Sequence, residues 1–155
     1  MRKDLISFYE MGSPDNHRRW LDDIQRANDQ WLEGCHSYIQ WLFPNRDPSP
    51  YNPEAPTLDD ETIEVFRSRT DLKLEVKRSL DSMIEFYKLD VTTPWWVTKK
   101  NHNYLRITRI LNTLREFQML DEAYDFFDKL TEVYSNNKDI IGETTFKFWE
   151  NAFTG

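Results

Sequence analysis

The sequence predicts an all-α fold, and three observations carry that prediction. Apolar residues recur at steps of three and four over long stretches, β-branched alternation is absent, and the only glycines are at positions 12, 34, 142 and 155. The chain has 155 residues, of which 39% are hydrophobic and 15% aromatic, enough to bury a core. We therefore expect one compact domain over residues 1–155, a bundle of six to eight helices with a Pro-rich connecting loop.

The N-terminal part predicts two or three helices. A short amphipathic segment indicates a helix over about Asp4–Met11, and Ser13 before Pro14 is typical of an N-cap followed by proline at the first helical position. Apolar residues at helical spacing then predict one continuous face, made of Trp20, Ile24, Ala27, Trp31, Cys35, Tyr38 and Leu42. Gly34 is a possible break within this stretch, and Pro44 ends it.

Five prolines between residues 44 and 56 predict an extended, semi-rigid connection rather than a helix. We do not expect a domain boundary there, because the roughly 43 residues before it are too few to bury their own aromatic side chains. Thr57-x-x-Asp60 resembles a capping box, with Asp in place of the usual Glu, and opens a helix that carries Ile63 and Phe66.

The C-terminal part predicts four further helices and one loop. The helices are expected over about Thr70–Tyr87, Asn101–Phe117, Asp121–Tyr134 and Gly142–Ala152, and the loop over residues 89–100, which hold Pro94, Trp95 and Trp96.

Composition and the motifs present argue against several function classes. A net charge of −7 and a pI of about 5.0 argue against general nucleic-acid binding. No apolar run approaches the ~20 residues of a membrane span, and residues 1–5 lack the apolar stretch of a signal peptide, so neither is expected. The single Cys35 favours a reducing, cytoplasmic location. No glycine-rich phosphate loop or paired-cysteine zinc motif occurs, and Glu33-x-x-His36 lacks the second copy that a di-iron bundle requires, so no cofactor or metal is expected.

The segment His102–Leu114 is the first candidate site. One side of this predicted helix is apolar, and His102, Arg106 and Arg109 fall together on a stripe about 130° away, which we expect to face outward. Two interpretations stay open: a solvated face paired with nearby carboxylates, or a receptor for an anion or carboxylate, to which the arginine fork is suited.

The segment His36–Pro44 is the second candidate. Glu33, His36 and Gln40 share a predicted polar stripe, and Trp41 lies away from the apolar one, so the aromatic residues are either core or part of a binding groove. Cys35 lies on the apolar face and is expected to be an inert core thiol. The candidate ligand-binding residues of both segments are His102, Asn103, Arg106, Arg109, His36, Gln40, Trp41 and Trp96.

Both segments also carry a family likeness. His36-Ser37-Tyr38-Ile39-Gln40-Trp41-Leu42-Phe43-Pro44 resembles a signature of the opioid growth factor receptor family, as does His102-Asn103-x-Leu105-Arg106-Ile107-Thr108-Arg109-Ile110-Leu111-x-x-Leu114. Supporting matches in the same order are Phe8-Tyr9, Pro14-Asp15, Trp20-Leu21, Leu32-Glu33, Ala55-Pro56, Glu64-Val65-Phe66 and Phe86-Tyr87. The chain departs from the family at Lys88, where members often place glycine.

The resemblance implies a role as well as a fold. Animal members of that family are described as receptors for a short enkephalin peptide, the opioid growth factor, and act in growth regulation at the nucleus. This chain is expected to be their conserved domain without the C-terminal repeats. Together with the missing catalytic motifs, this predicts a non-catalytic peptide- or protein-binding module. The alternatives are an enzyme that uses His36 or His102 as a base beside an arginine, and a scaffolding protein.

Overall fold

The computed structural model describes all residues from Met1 to Gly155 and contains ten α-helices and no strand. The helices are α1 (Lys3–Tyr9), α2 (Leu21–Gln25), α3 (Asp29–Gly34), α4 (Ile39–Leu42), α5 (Asp60–Ser68), α6 (Thr70–Phe86), α7 (Asn103–Glu116), α8 (Leu120–Asn136), α9 (Lys138–Ile141) and α10 (Glu143–Thr154). The predicted all-α class is confirmed. The helix count exceeds six to eight because α2, α3, α4 and α9 are only four to six residues long.

The long apolar face predicted between Ser13 and Pro44 is wrong, because the chain there forms three short helices. Ser13 and Pro14 do not begin a helix. Instead, the buried Asp15 carboxylate accepts hydrogen bonds from the backbone N–H groups of His17 and Arg19, both at 2.9 Å, and holds residues 13–20 in a loop. A side chain that satisfies backbone donors in this way competes with helix formation.

The Pro-rich segment is a loop, as predicted, and its only regular feature is an isolated bridge between Ser49 and Asn52. The helix after it begins two residues later than the Thr57 capping box implies. Asp59 is the N-cap, and its side chain accepts a hydrogen bond from the Thr62 N–H at 2.8 Å.

The chain forms two compact units, Met1–Ser82 and Met83–Gly155, and the division falls within α6. In the first unit, Phe8 and Tyr9 of α1 form the centre of an aromatic core. Phe8 meets Trp41 edge-on at 5.2 Å between ring centroids, and Tyr9 meets Phe66 at 5.5 Å. The Tyr9 hydroxyl donates to the Leu42 carbonyl, and burial raises the pKa of this phenol well above its ordinary value.

In the second unit, α7 packs against α8 and α10 around two fully buried tryptophans. Trp96 and Trp149 lie edge to face at 6.2 Å, and each indole N–H donates to a backbone carbonyl, of Tyr87 and Tyr104 respectively. These bonds satisfy the polar atom of each ring, so that the rings can be buried without an unpaired donor. No helix in the chain combines the length and the apolar character needed to cross a membrane.

Candidate functional site

Asn103, one of the predicted binding residues of the second unit, is the first residue of α7. Asn103 is fully buried, and its side-chain oxygen accepts hydrogen bonds from the Tyr87 hydroxyl at 2.9 Å and from Arg106 Nη1 at 3.4 Å. Its backbone N–H and its side-chain amide both donate to Asn101 Oδ1. Asn103 therefore links α7 to the end of α6 and to the preceding loop.

The outward cationic stripe predicted on α7 is wrong for Arg106. Arg106 is only 6% exposed, and Thr113, two turns further along the same side of the helix, is fully buried. The cause is that α7 contacts both α8 and α10, so the buried arc of the helix is wider than its apolar face. Arg109 is half-buried and His102 is exposed. Their role in ligand binding stays a prediction.

Neither candidate tryptophan offers an open ring face to solvent. Trp96 is fully buried in the second unit, and Trp41 is 3% exposed in the first, where its indole N–H donates to Asn16 Oδ1 at 2.9 Å. Trp41 is therefore a core residue, whereas Trp31 of the same stripe is half-buried. Trp95, beside Trp96, is the exposed ring of that loop at 41%.

The polar stripe predicted for Glu33, His36 and Gln40 is also wrong, because the chain leaves the helix between α3 and α4. Gln40 is buried, and its amide donates to the His36 carbonyl at 3.1 Å and to Ser49 Oγ at 3.2 Å. His36 is exposed, with its ring 6.2 Å from that of Tyr51. This segment thereby ties α4 to the Pro-rich loop.

A charged network that the sequence analysis missed lies next to this segment. Arg19 Nε donates to the buried Asp15 carboxylate at 2.7 Å. Its Nη1 donates to Ser37 Oγ at 3.0 Å and to Cys35 Sγ at 3.1 Å, and its Nη2 donates to the Ser37 carbonyl at 3.1 Å. Cys35, predicted to be a core thiol, is half-buried beside this cation.

The same arginine lines an open pocket with a volume of about 350 Å³. The guanidinium carbon of Arg19 lies 5.6 Å from the centre of the Trp31 ring, within the range of a cation–π contact. The lining residues are Arg19, Asp23, Ile24, Ala27, Asn28 and Trp31. We call this feature the Arg19–Trp31 pocket.

Each wall of the Arg19–Trp31 pocket is held by a local feature of the chain. The Asp15 carboxylate holds the Arg19 side chain in place by a hydrogen bond. The Asn28 side chain caps α3 by accepting a hydrogen bond from the Trp31 backbone N–H at 2.8 Å. Trp31 is braced by Tyr38, with 5.2 Å between ring centroids. A pocket of this size, with an indole wall and charges of both signs at its edge, has room for one or two side chains of a partner.

Of the candidate ligand-binding residues, the first unit contains His36, Gln40 and Trp41, and the second contains Trp96, His102, Asn103, Arg106 and Arg109. The pocket residues Arg19 and Trp31 were missed because the continuous-helix interpretation placed Trp31 on a core face. The Asp15–Arg19 spacing of four residues was the one available signal, and it is not specific. No group of three or more His, Cys, Asp or Glu side chains is placed to hold a metal ion.

Residues 10–94, more than half of the chain, match the family model described as the opioid growth factor receptor conserved region. The chain belongs to this family. The conserved region covers α2 to α6 and therefore includes the whole Arg19–Trp31 pocket. The resemblance inferred from the His36–Pro44 signature is confirmed.

Named relatives agree with this assignment. The human opioid growth factor receptor is 35% identical over an alignment of 112 residues that covers 61% of this chain and 16% of the relative. The rat receptor is 34% identical over 130 residues, 72% of this chain and 22% of the relative. The rat opioid growth factor receptor-like protein 1 is 31% identical over 112 residues, 63% of this chain and 23% of the relative. The alignments thus span less than a quarter of these relatives, and no solved structure matches the chain.

Proposed function

We propose that this domain is a non-catalytic binding module that receives a segment of a peptide or protein in the Arg19–Trp31 pocket. The observation that carries the proposal is the pocket itself. It is open to solvent, it has an indole wall, and its arginine is already fixed by Asp15 and Ser37. Preorganised aromatic and arginine side chains lose little freedom on binding and are the residue types that dominate protein interfaces.

The kinship with proteins named as receptors supports binding as the role. The alignments cover only a small part of each relative, so we carry over ligand binding as a class and treat the opioid growth factor peptide as one ligand to be tested. Both candidate histidines, His36 and His102, are exposed, and neither lines the pocket. That arrangement favours binding over a reaction that needs a histidine base beside an arginine.

The proposal is tested by filling the pocket. Ala27→Trp places an indole in the opening, whereas Thr144→Trp adds the same ring at an exposed position of α10 and is the matched control. We expect the partners captured by the wild-type chain, identified by mass spectrometry, to be captured equally by Thr144→Trp. We expect at least a tenfold loss with Ala27→Trp.

Circular dichroism melts of both variants show whether the fold is intact. Titration calorimetry of the identified partner, and of an enkephalin peptide in parallel, gives the affinities. Equal capture by a folded Ala27→Trp variant would overturn the assignment of this pocket.

His102 and Arg109 remain proposed ligand contacts of the second unit. The Arg106→Ala substitution is not a clean test of that idea, since Arg106 is buried against Asn103 and its loss threatens the fold. His102→Ala changes an exposed side chain instead. Unchanged partner capture by this variant would remove His102 from the proposed site. The cytoplasmic location inferred from the single Cys35 likewise stays a prediction.

A further inference from the structure

Five aromatic rings form a continuous row between α8 and α10, in the second unit. In order along the row, they are Tyr134, Phe146, Phe127, Phe153 and Tyr124, which alternate between the two helices. The ring centroids of Tyr134 and Phe146 lie 4.2 Å apart, and those of Phe127 and Phe153 lie 4.5 Å apart. Both pairs are within 10° of parallel. We call these residues the aromatic row.

The aromatic row lies on the outer side of the core, and Phe146 connects the two by meeting the buried Trp149 edge-on at 6.3 Å between ring centroids. The core sides of the same helices are formed by Phe126 and Leu130 of α8 and Trp149 of α10, all fully buried. In contrast, Tyr124 is 64% exposed, the other four rings of the row are half-buried, and Leu120, one turn before Tyr124, is 62% exposed. Two exposed apolar side chains next to four half-buried rings form an apolar patch of the kind that marks an interaction surface.

The charges around the row define the kind of partner that it fits. Together, α8 and α10 carry seven carboxylates and two lysines. Lys129 is paired with Asp125 at 2.6 Å on its own helix. Asp128 and Glu150 are exposed and lie one turn from Tyr124 and Phe146, so the rings are bordered by negative charge. Such a border attracts a basic segment and repels an acidic one.

The length of the row fits a short helix. From Tyr124 to Tyr134 the row covers roughly 15 Å along α8, about 2.8 helical turns. An amphipathic helix presents apolar anchors at this spacing, one on each successive turn. A second copy of the chain is a poor occupant, because its own row would bring the same acidic border against this one.

We propose that the aromatic row is a docking surface for a basic amphipathic helix of a partner protein. Leucine-like side chains of that helix would lie against the ring edges, and its lysines or arginines would pair with Asp128 and Glu150. The surface is independent of the Arg19–Trp31 pocket, which belongs to the first unit. It also lies beyond residues 10–94, the part of the chain that matches the family.

A 14-residue fluorescent peptide made of leucine and lysine in helical register is the probe, and its leucine–glutamate counterpart is the charge control. Binding to the full chain is followed by fluorescence anisotropy at low and high salt. We expect the basic peptide to bind and the acidic one not to bind. Affinity should fall as salt rises, because the attraction is partly between exposed charges.

The variants separate a specific surface from general attraction to an acidic protein. Tyr124→Ala should weaken binding tenfold or more, whereas Phe148→Ala, which removes a ring of similar exposure on another side of α10, should change it less than twofold. Asp128→Asn combined with Glu150→Gln should weaken binding several-fold and reduce its salt dependence. Ala27→Trp, which tests the pocket, should leave peptide binding unchanged.

Three results would overturn the proposal. The first is equal binding by Tyr124→Ala and Phe148→Ala, which would mean that net charge alone attracts the peptide. The second is binding of the leucine–glutamate peptide as tight as that of the basic one. The third is a concentration-dependent dimer in analytical ultracentrifugation that Tyr124→Ala dissociates, which would assign the row to a second copy of the chain.

Discussion

Single residues shape the candidate pocket more than helix propensity does. The Asp15 carboxylate binds two backbone N–H groups and the Arg19 side chain at once, so it both prevents a helix from starting at Ser13 and positions one wall of the pocket. The pair is well protected from solvent, with side-chain exposures of 0% for Asp15 and 18% for Arg19. Removal of one partner would leave the other charge buried without compensation.

Lys88 is a residue under backbone strain. Its φ of +51° lies in the left-handed region, which costs an L-residue roughly 1 kcal/mol and costs glycine almost nothing. Lys88 is the second residue after α6, the C′ position, where a left-handed residue commonly ends a helix. In the family that the sequence resembles, many members have glycine at this position. The positive φ gives the physical reason for that glycine, because glycine adopts this angle without strain.

Lys88→Gly is therefore expected to raise the free energy of unfolding by about 0.5–1 kcal/mol, since relief of strain exceeds the entropy cost of glycine. Urea unfolding followed by circular dichroism measures the change. Lys73→Gly, inside α6, is the control and should lower stability by about 1 kcal/mol. A lower unfolding free energy for Lys88→Gly would show that the Lys88 side-chain contacts outweigh the strain.

At the scale of the element, α5 depends on its cap. Asp59 accepts from the Thr62 N–H at 2.8 Å, and its carboxylate also lies 3.0 Å from the N-terminal amine of Met1. The hydrogen bonds from Thr62, followed by the interaction with the amine, lower the pKa of Asp59 to about 2. One side chain thus satisfies a free donor of the helix and connects it to the start of the chain.

Asp59→Ala is expected to destabilise the protein by about 1 kcal/mol, the usual cost of losing an N-cap. Asp60→Ala is the matched control, because Asp60 lies at the next position and is exposed in an ion pair with Arg46, which contributes little. Thermal unfolding compares the two. Equal effects of both substitutions would mean that general charge, and not the cap, stabilises the start of α5.

At the scale of the whole molecule, the acidic chain contains several carboxylates that prefer to be ionised in the folded state. The pKa values of Asp4 and Asp71 are lowered, chiefly by hydrogen bonds from Arg2 and Arg69, and that of Asp59 is about 2. In the unfolded chain, an aspartate titrates near pH 3.9. A folded pKa below the unfolded one means that the ionised group adds stability above pH ~4 and that this contribution disappears as pH falls towards 2.

We therefore expect the melting temperature to fall as pH is lowered from about 5 to 2. Because these groups are well exposed, each contributes modestly. Asp59→Asn should melt lower at pH 6 and lose less on acidification than the wild type. A melting temperature that stays constant down to pH 2.5 would contradict the linkage between these pKa values and stability.

The sequence by itself determined the helical class, the Pro-rich loop, the family and the approximate positions of α5 to α8 and α10. These features follow from local spacing, from residues with restricted backbone angles and from a specific signature, none of which needs knowledge of distant contacts. The observed helices differ most from the helices predicted from the sequence between Ser13 and Pro44. There, the apolar spacing of one long helix is overridden by the Asp15 loop and by the break between α3 and α4.

Only the tertiary structure decided which polar residues face solvent. Arg106 belongs to a stripe predicted to be exposed, and Asn103 is a candidate ligand contact, yet α7 packs against two neighbouring helices and both residues are buried. The Arg19–Trp31 pocket and the aromatic row depend on side chains brought together from different helices and loops. Helical periodicity gives the direction of a side chain around its own axis. It does not show how many other helices pack around that helix. The number of packed helices decides whether a polar residue is buried or available to a partner.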